Sequence, residues 1–136
     1  AIQNAASDAP EAKYWLPEPP LCLMVGGDND TPDLLLPYLS PSTVLIHETT
    51  YTSDIAEKVG PIPQHSCAQR VAETAQKANL RDVVLTHFSA RYAHEIPNEG
   101  ALPLLQEARA HFAGNIWLAE DFATFRLDQQ GVKRLI

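Results

Sequence analysis

Apolar residues along the chain gather into three short runs, each stopping at a polar tip. Leu21 to Val25 is continuously apolar and halts at Gly26-Gly27, Thr43 to His47 is β-branched and apolar, and Asp82 to Thr86 runs directly into His87. Unbroken runs of this length predict strands buried on both faces of a sheet. Elsewhere the pattern turns helical. Thr31-Pro32 places a capping residue before a first-turn proline, which predicts a short helix over Asp33 to Leu39, closed by Pro41. Ser53-Asp54 can cap a brief helix ending at Gly60, after which Pro61 and Pro63 impose a loop. From Ser66 to Ala78 the apolar positions Ala68, Val71, Ala72, Ala75 and Ala78 recur at helical spacing, with Gln69, Arg70, Glu73, Gln76 and Lys77 between them. A loop with Pro97 and Asn98 leads to a helix from about Glu99 to Phe112, with Pro103 in its first turn and Gly114 beyond its end. Its expected inner face is Leu102, Leu105, Ala108, Arg109 and Phe112. Asn115 to Leu118 and Ala123 to Leu127 alternate like half-buried strands, and Gln130-Gly131 predicts a hairpin turn before Val132 to Ile136.

The resulting order, β-α-β-α-α-β-α-β-β-β, predicts an α/β fold with a sheet flanked by helices. The chain has 136 residues, the size of one domain with a core of its own. Four of the eleven prolines fall in the first twenty residues, so residues 1–20 read as a linker-like segment and 21–136 as the folded part. This opening, which lacks an initiator methionine, predicts a fragment of a larger protein. No apolar run approaches the ~20 residues of a membrane span, and no basic, apolar leader pattern opens the chain. The expectation is a cytoplasmic protein whose two cysteines, Cys22 and Cys67, stay reduced, since they form neither a zinc knuckle nor a disulfide framework. A net charge of −7 argues against binding nucleic acid through the summed charge of this chain.

The chemistry gathers at the three strand tips: Gly26-Gly27-Asp28-Asn29-Asp30, His47-Glu48-Thr49-Thr50-Tyr51 and Thr86-His87-Phe88-Ser89. Strand ends and the loops leaving them are where layered α/β folds collect polar side chains on a rigid frame. Carboxylates and imidazoles at several tips suit a metal ion of the zinc or manganese kind. Spacing alone goes no further, because there is no His-x-His pair and no His-Glu-x-x-His helix, and the five histidines are dispersed. His111, late in a helix, is expected to face solvent or complement the helix dipole, and His94 belongs to a loop.

Four segments in order carry a resemblance. Gly27-Asp28-Asn29-Asp30-Thr31-Pro32, Ile46-His47-Glu48-Thr49-Thr50-Tyr51, Gln64-His65-Ser66-Cys67-Ala68 and Leu85-Thr86-His87-Phe88-Ser89-Ala90-Arg91-Tyr92 are similar to the C-terminal half of ribonuclease Z and its relatives in the metallo-β-lactamase superfamily. The match runs from about Leu21 to Leu127, and the last segment is its most specific part. The resemblance implies half of an αββα sandwich with a mixed sheet flanked by helices. It implies a site of two zinc ions, manganese being the alternative. Asp28 would be the bridging aspartate, His87 a zinc ligand, His65 the histidine beside the scissile phosphate, and Glu48 an acid orienting a histidine. Asp28 matches by following glycine and Asp30 by preceding threonine; Asp28 is preferred. Cys67 stands where the family has threonine.

The family's His-x-His-x-Asp-His run and a further lone histidine belong to its N-terminal half and do not occur here. The isolated chain is therefore expected to be inactive, to need that N-terminal half as a partner, and to self-associate as a homo-oligomer when its exposed sheet is left uncovered. The function implied is that of a zinc-dependent phosphodiesterase acting on precursor tRNA. The competing readings are a hydrolase of the same fold with another substrate, since fold does not fix substrate, and a non-catalytic fragment or interaction module.

Overall fold

The structure, a computed structural model, describes residues 18–94 and 99–136. The expected linker over 1–20 and the loop bearing Pro97 and Asn98 lie largely outside them. Four parallel strands, β1 (Cys22–Val25), β2 (Thr43–Glu48), β3 (Asp82–Thr86) and β4 (Asn115–Leu118), form one sheet in the order β1-β2-β3-β4. The register pairs Leu45 with Val83 and His47 with Leu85, so the apolar runs lie side by side. A separate antiparallel hairpin follows, β5 (Phe125–Asp128) and β6 (Gly131–Arg134). Parallel and antiparallel pairing thus both occur among the described residues, the one in the four-stranded sheet and the other in the hairpin.

Alternation along the strands divides the core between two faces. Leu45, Val83 and Leu85 pack with Val71, Ala75, Leu104 and Ala108 of the helices α2 (Ala68–Lys77) and α3 (Leu102–His111). Val44 and Val84 point the other way, onto Val132, Trp117, Phe125 and Leu127 of the hairpin side. A third helix, α1 (Ser53–Val59), follows β2 and ends where Gly60 takes a positive φ of 79°. The sheet and the hairpin meet at Asp82, which is fully buried at the start of β3 and lies 3.5 Å from Val132 N of β6. Its carboxylate accepts from Arg81 Nε at 2.9 Å, Asn115 Nδ2 at 3.1 Å and Trp117 Nε1 at 3.1 Å. A buried charge is tolerable when it is paired and hydrogen-bonded in this way.

Two local expectations are corrected. The segment after Pro32 is a 3-10 helix, Pro32–Tyr38, because Pro37 lies inside it and lacks the N–H that a longer α-helical ladder needs. Asp33 anchors it to α2 by accepting from Thr74 Oγ1 at 2.5 Å and Lys77 Nζ at 2.6 Å. In α3 the buried stripe is Ala101, Leu104 and Ala108, with Phe112 just beyond the helix, while Leu102 is 45% exposed and Arg109 faces solvent. Small alanines let α3 lie close to Val71, Ala72 and Ala75 of α2, and that contact outweighs the pull of the larger Leu102.

Among the described residues β1 has a neighbour on one side only, and Leu21, Leu23 and Val25 at this edge are exposed. No helix among the described residues is long and apolar enough to cross a membrane.

Candidate metal centre

Parallel strands end on the same side of a sheet, so the polar tips of β1, β2 and β3 converge. After β1 the chain turns at Gly26 and Gly27. Gly27 takes a φ of +59° that glycine adopts freely, and Gly26 leaves room for His47, since a Cβ there would stand 2.4 Å from His47 Cδ2. Asp28 follows. After β3, His87 itself adopts a φ of +58°, an uncommon conformation for a residue with a side chain and one that clusters at functional sites. Gln64, immediately before His65, has a φ of 55°.

The ligand atoms offered by Asp28, His65 and His87 lie within 4.8 Å of one another. His87 Nε2 stands 3.9 Å from Asp28 Oδ1, and the rings of His65 and His87 are tilted at 38° with centroids 5.1 Å apart. Asp28 and His87 are exposed and His65 is partly buried, an arrangement open to an incoming ion and substrate. Asp28, rather than Asp30, is the carboxylate in this group; Asp30 accepts from the Thr31 hydroxyl at 2.8 Å and lines a neighbouring cleft of about 480 Å³ with Tyr51, His65, Arg70 and Lys77.

Glu48 lies beneath the cluster and is almost wholly buried. One of its oxygens accepts from Thr50 N at 3.1 Å and from the Thr50 hydroxyl at 2.7 Å, and the other accepts from the Ser66 backbone N–H. The Thr50 hydroxyl also lies 3.0 Å from His87 Nδ1. A hydroxyl has one proton, and the shortest, charge-assisted partner, the Glu48 carboxylate, takes it. His87 Nδ1 then donates to Thr50, and in the neutral ring Nε2, 3.9 Å from Asp28 Oδ1, keeps the lone pair that a metal takes. A carboxylate acting through a neighbouring group to fix a ligand histidine's tautomer is a recurrent feature of metal sites. On this chemistry the donor set fits a divalent ion: a carboxylate, and an imidazole with a committed lone pair.

His65 joins the same network from the loop before α2. Its Nδ1 is buried, makes no hydrogen bond to the described residues, and stands 3.9 Å from Glu48 Oε2. Cys67, next in the turn, is buried, and burial pushes its thiol up, away from the thiolate form a nucleophile needs. His47, fully buried, contacts Glu48 O through Nδ1 at 2.6 Å and Asn29 Nδ2 through Nε2 at 3.4 Å, so it steadies the turn that bears Asp28.

The remaining histidines lie elsewhere. His94 is 3.5 Å from Glu99, and His111, in the last turn of α3, is 3.4 Å from Glu73. Sequence reading passed over Thr50 and His47 as site-shaping residues although both stand inside a quoted segment; a hydroxyl two residues after a buried acid is the signal that marks Thr50.

No protein-family model matches the chain. Ribonuclease Z of Marinobacter nauticus is 50% identical over 111 residues, which cover 79% of this chain and 33% of that protein. Ribonuclease Z of Pseudomonas putida is 39% identical over 115 residues, 84% of this chain and 36% of that protein. The chain thus spans about a third of the length of the curated relatives it matches. Among solved structures, the metallo-β-lactamase fold protein YhfI from Bacillus subtilis superposes with a TM-score of 0.58 at 20% identity, covering 72% of this chain and 36% of that one. In sequence the chain is similar to about a third of ribonuclease Z, and in fold to a metallo-β-lactamase fold protein, which is consistent with a C-terminal stretch of such a protein.

Proposed function

We propose that this chain supplies the C-terminal half of a zinc-dependent phosphodiesterase of the ribonuclease Z type, which cuts precursor tRNA near its 3′ end. The observation that carries the reading is the convergence of Asp28, His65 and His87, from three separate loops, to within 4.8 Å. Asp28 and His87 would hold the ions, His87 through Nε2, with zinc the favoured metal and manganese the alternative. Bound divalent ions supply the Lewis acidity that activates water and offsets charge on the phosphate. His65 donates a proton to the departing oxygen, a task suited to an imidazole. Glu48, 3.9 Å from His65 Nδ1, stabilises that ring when it is charged, and through Thr50 it holds His87.

Asp28 and His87 are two protein ligands, whereas a catalytic zinc ordinarily has three plus water, so the N-terminal half must complete the site. The exposed apolar edge of β1, with Leu23 and Val25, is the surface that half covers, and without it the chain self-associates. The same half, or a partner subunit, supplies the positive surface that this acidic chain lacks for tRNA. Free Cys22 and Cys67 suit a cytoplasmic setting.

In the whole protein, His65→Ala should lower turnover on precursor tRNA by ~10²-fold or more while the zinc content, read by elemental analysis, stays at the wild-type level. Loss of bound metal in that variant would show that His65 is a ligand and not the proton donor. Absence of zinc and manganese from the wild-type protein would end the enzyme reading.

A further inference from the structure

The loops that carry Thr50 and His65 are tied to each other and then to a third element. Tyr51 and Cys67 form an isolated parallel bridge, with Tyr51 N–H donating to Ser66 O at 3.3 Å and Ala68 N–H donating to Tyr51 O at 3.0 Å. The Tyr51 ring meets His65 edge-on at 6.2 Å between centroids. Just downstream, both loops enter helices whose N-cap side chains make no capping hydrogen bond. Thr52 stands at the N-cap of α1 and gives its hydroxyl to Asp54 at 2.6 Å, and Cys67 stands at the N-cap of α2 without a side-chain bond to the helix.

One carboxylate on α3 does this work for both helices. Glu107 accepts from Ser53 N at 2.9 Å to each of its oxygens, from Ser53 Oγ at 3.1 Å, and from Gln69 N at 2.8 Å. A carboxylate shared by the first turns of two helices satisfies orphan N–H groups and the positive ends of both macrodipoles at once. It also fixes the separation of the two loops immediately upstream. We propose that Glu107 is a positioning residue for His65: by clamping the starts of α1 and α2 it sets the distance of the His65 ring from the centre formed with Asp28 and His87. This rests on the reading of His65 as the proton donor. A shift of an ångström in such a group costs on the order of 10²-fold in rate.

The test uses the whole protein and two substrates, precursor tRNA and bis(p-nitrophenyl) phosphate, whose nitrophenolate leaves without needing a proton. His65→Ala should lose ~10²-fold or more on tRNA and change only a few-fold on the nitrophenyl ester. Glu107→Ala should follow the same pattern, with ~10- to 100-fold lost on tRNA, little on the ester, and unchanged zinc content. Glu107→Gln keeps one acceptor oxygen and should fall between the wild type and Glu107→Ala; it serves also if the alanine variant does not fold. Equal losses on both substrates, or tRNA cleavage at the wild-type rate in both Glu107 variants, overturn the proposal while His65 keeps its role. If His65→Ala itself spares tRNA cleavage, or depresses both substrates alike, the reading of His65 fails and the role of Glu107 fails with it.

Discussion

Replacing Thr50 by valine keeps the side chain's shape and removes only its hydroxyl, which makes it a clean probe of the centre. That hydroxyl lies 2.7 Å from Glu48 Oε2 and 3.0 Å from His87 Nδ1. Glu48 retains the Thr50 and Ser66 backbone N–H groups, so it loses one of three donors, and His87 loses the acceptor that commits its tautomer. A hydrogen bond to a charged group contributes ~1.5–3 kcal/mol, and Glu48 is too buried for water to replace it fully, so Thr50→Val should destabilise the fold by about 2 kcal/mol. Losing the partner that orients a metal-binding histidine typically costs ~10- to 100-fold in metal affinity. Thr50→Ser keeps the hydroxyl and should restore most of that affinity. Competition against a zinc chelator in the whole protein reads the affinity, and urea unfolding reads the stability. Wild-type zinc affinity in Thr50→Val would refute the chain of reasoning from Glu48 through Thr50 to His87.

Further outcomes follow from the same contacts. Gly26→Ala puts a methyl group 2.4 Å from the buried ring of His47, so it should cost ~1–3 kcal/mol by displacing that ring, and an unchanged melting temperature would contradict the close approach. Asp82→Ala removes a fully buried acceptor and leaves the partly buried Trp117 N–H without it, so it should cost ~1–3 kcal/mol in urea unfolding; a smaller loss would mean water replaces the carboxylate. Lys77 and then Thr74 hold the Asp33 carboxyl below its ordinary value, and Asp33 in turn raises Lys77. The stability from Asp33 is therefore present above its unfolded value and fades as pH falls through the folded one, while that from Lys77 fades as pH rises through its raised folded value. Asp33→Asn should accordingly flatten the acid side of the stability profile below about pH 4; an unchanged slope there would mean that the pair is fully screened.

β2 and β3 were legible because burial on both faces leaves a continuous apolar run, whereas the similar run of β1 lies at the sheet edge with Leu23 and Val25 exposed, against the expectation of a buried strand. Leu45, Val83 and Leu85 read as core from sequence and are core in the structure. The phase of α3 was not legible, because its packing on α2 is decided by Ala101 and Ala108, which carry weaker apolar signals than Leu102. Pro37 contains the reason for the 3-10 geometry of its segment, but the position of a proline decides between a kink, a stop and a tighter helix only with tertiary contacts such as Asp33 to Thr74. At the site, the quoted segments contain Asp28, Glu48, His65 and His87, and the parallel order of β1, β2 and β3 explains why three of these gather at one end. What no local pattern revealed is the wiring among them. The Thr50 hydroxyl between Glu48 and His87 spans 37 positions of sequence, and the clamp of Glu107 on Gln69 spans 38.

The central claim, that Asp28 and His87 hold a metal beside His65, is tested most directly by anomalous scattering at the zinc edge from crystals of the whole protein grown with zinc. The account predicts peaks at ~2.0–2.2 Å from a carboxylate oxygen of Asp28 and from His87 Nε2, with His65 near the peaks but outside bonding distance. A map without a peak at Asp28 and His87, or with the ion bonded to His65 in place of His87, would contradict it.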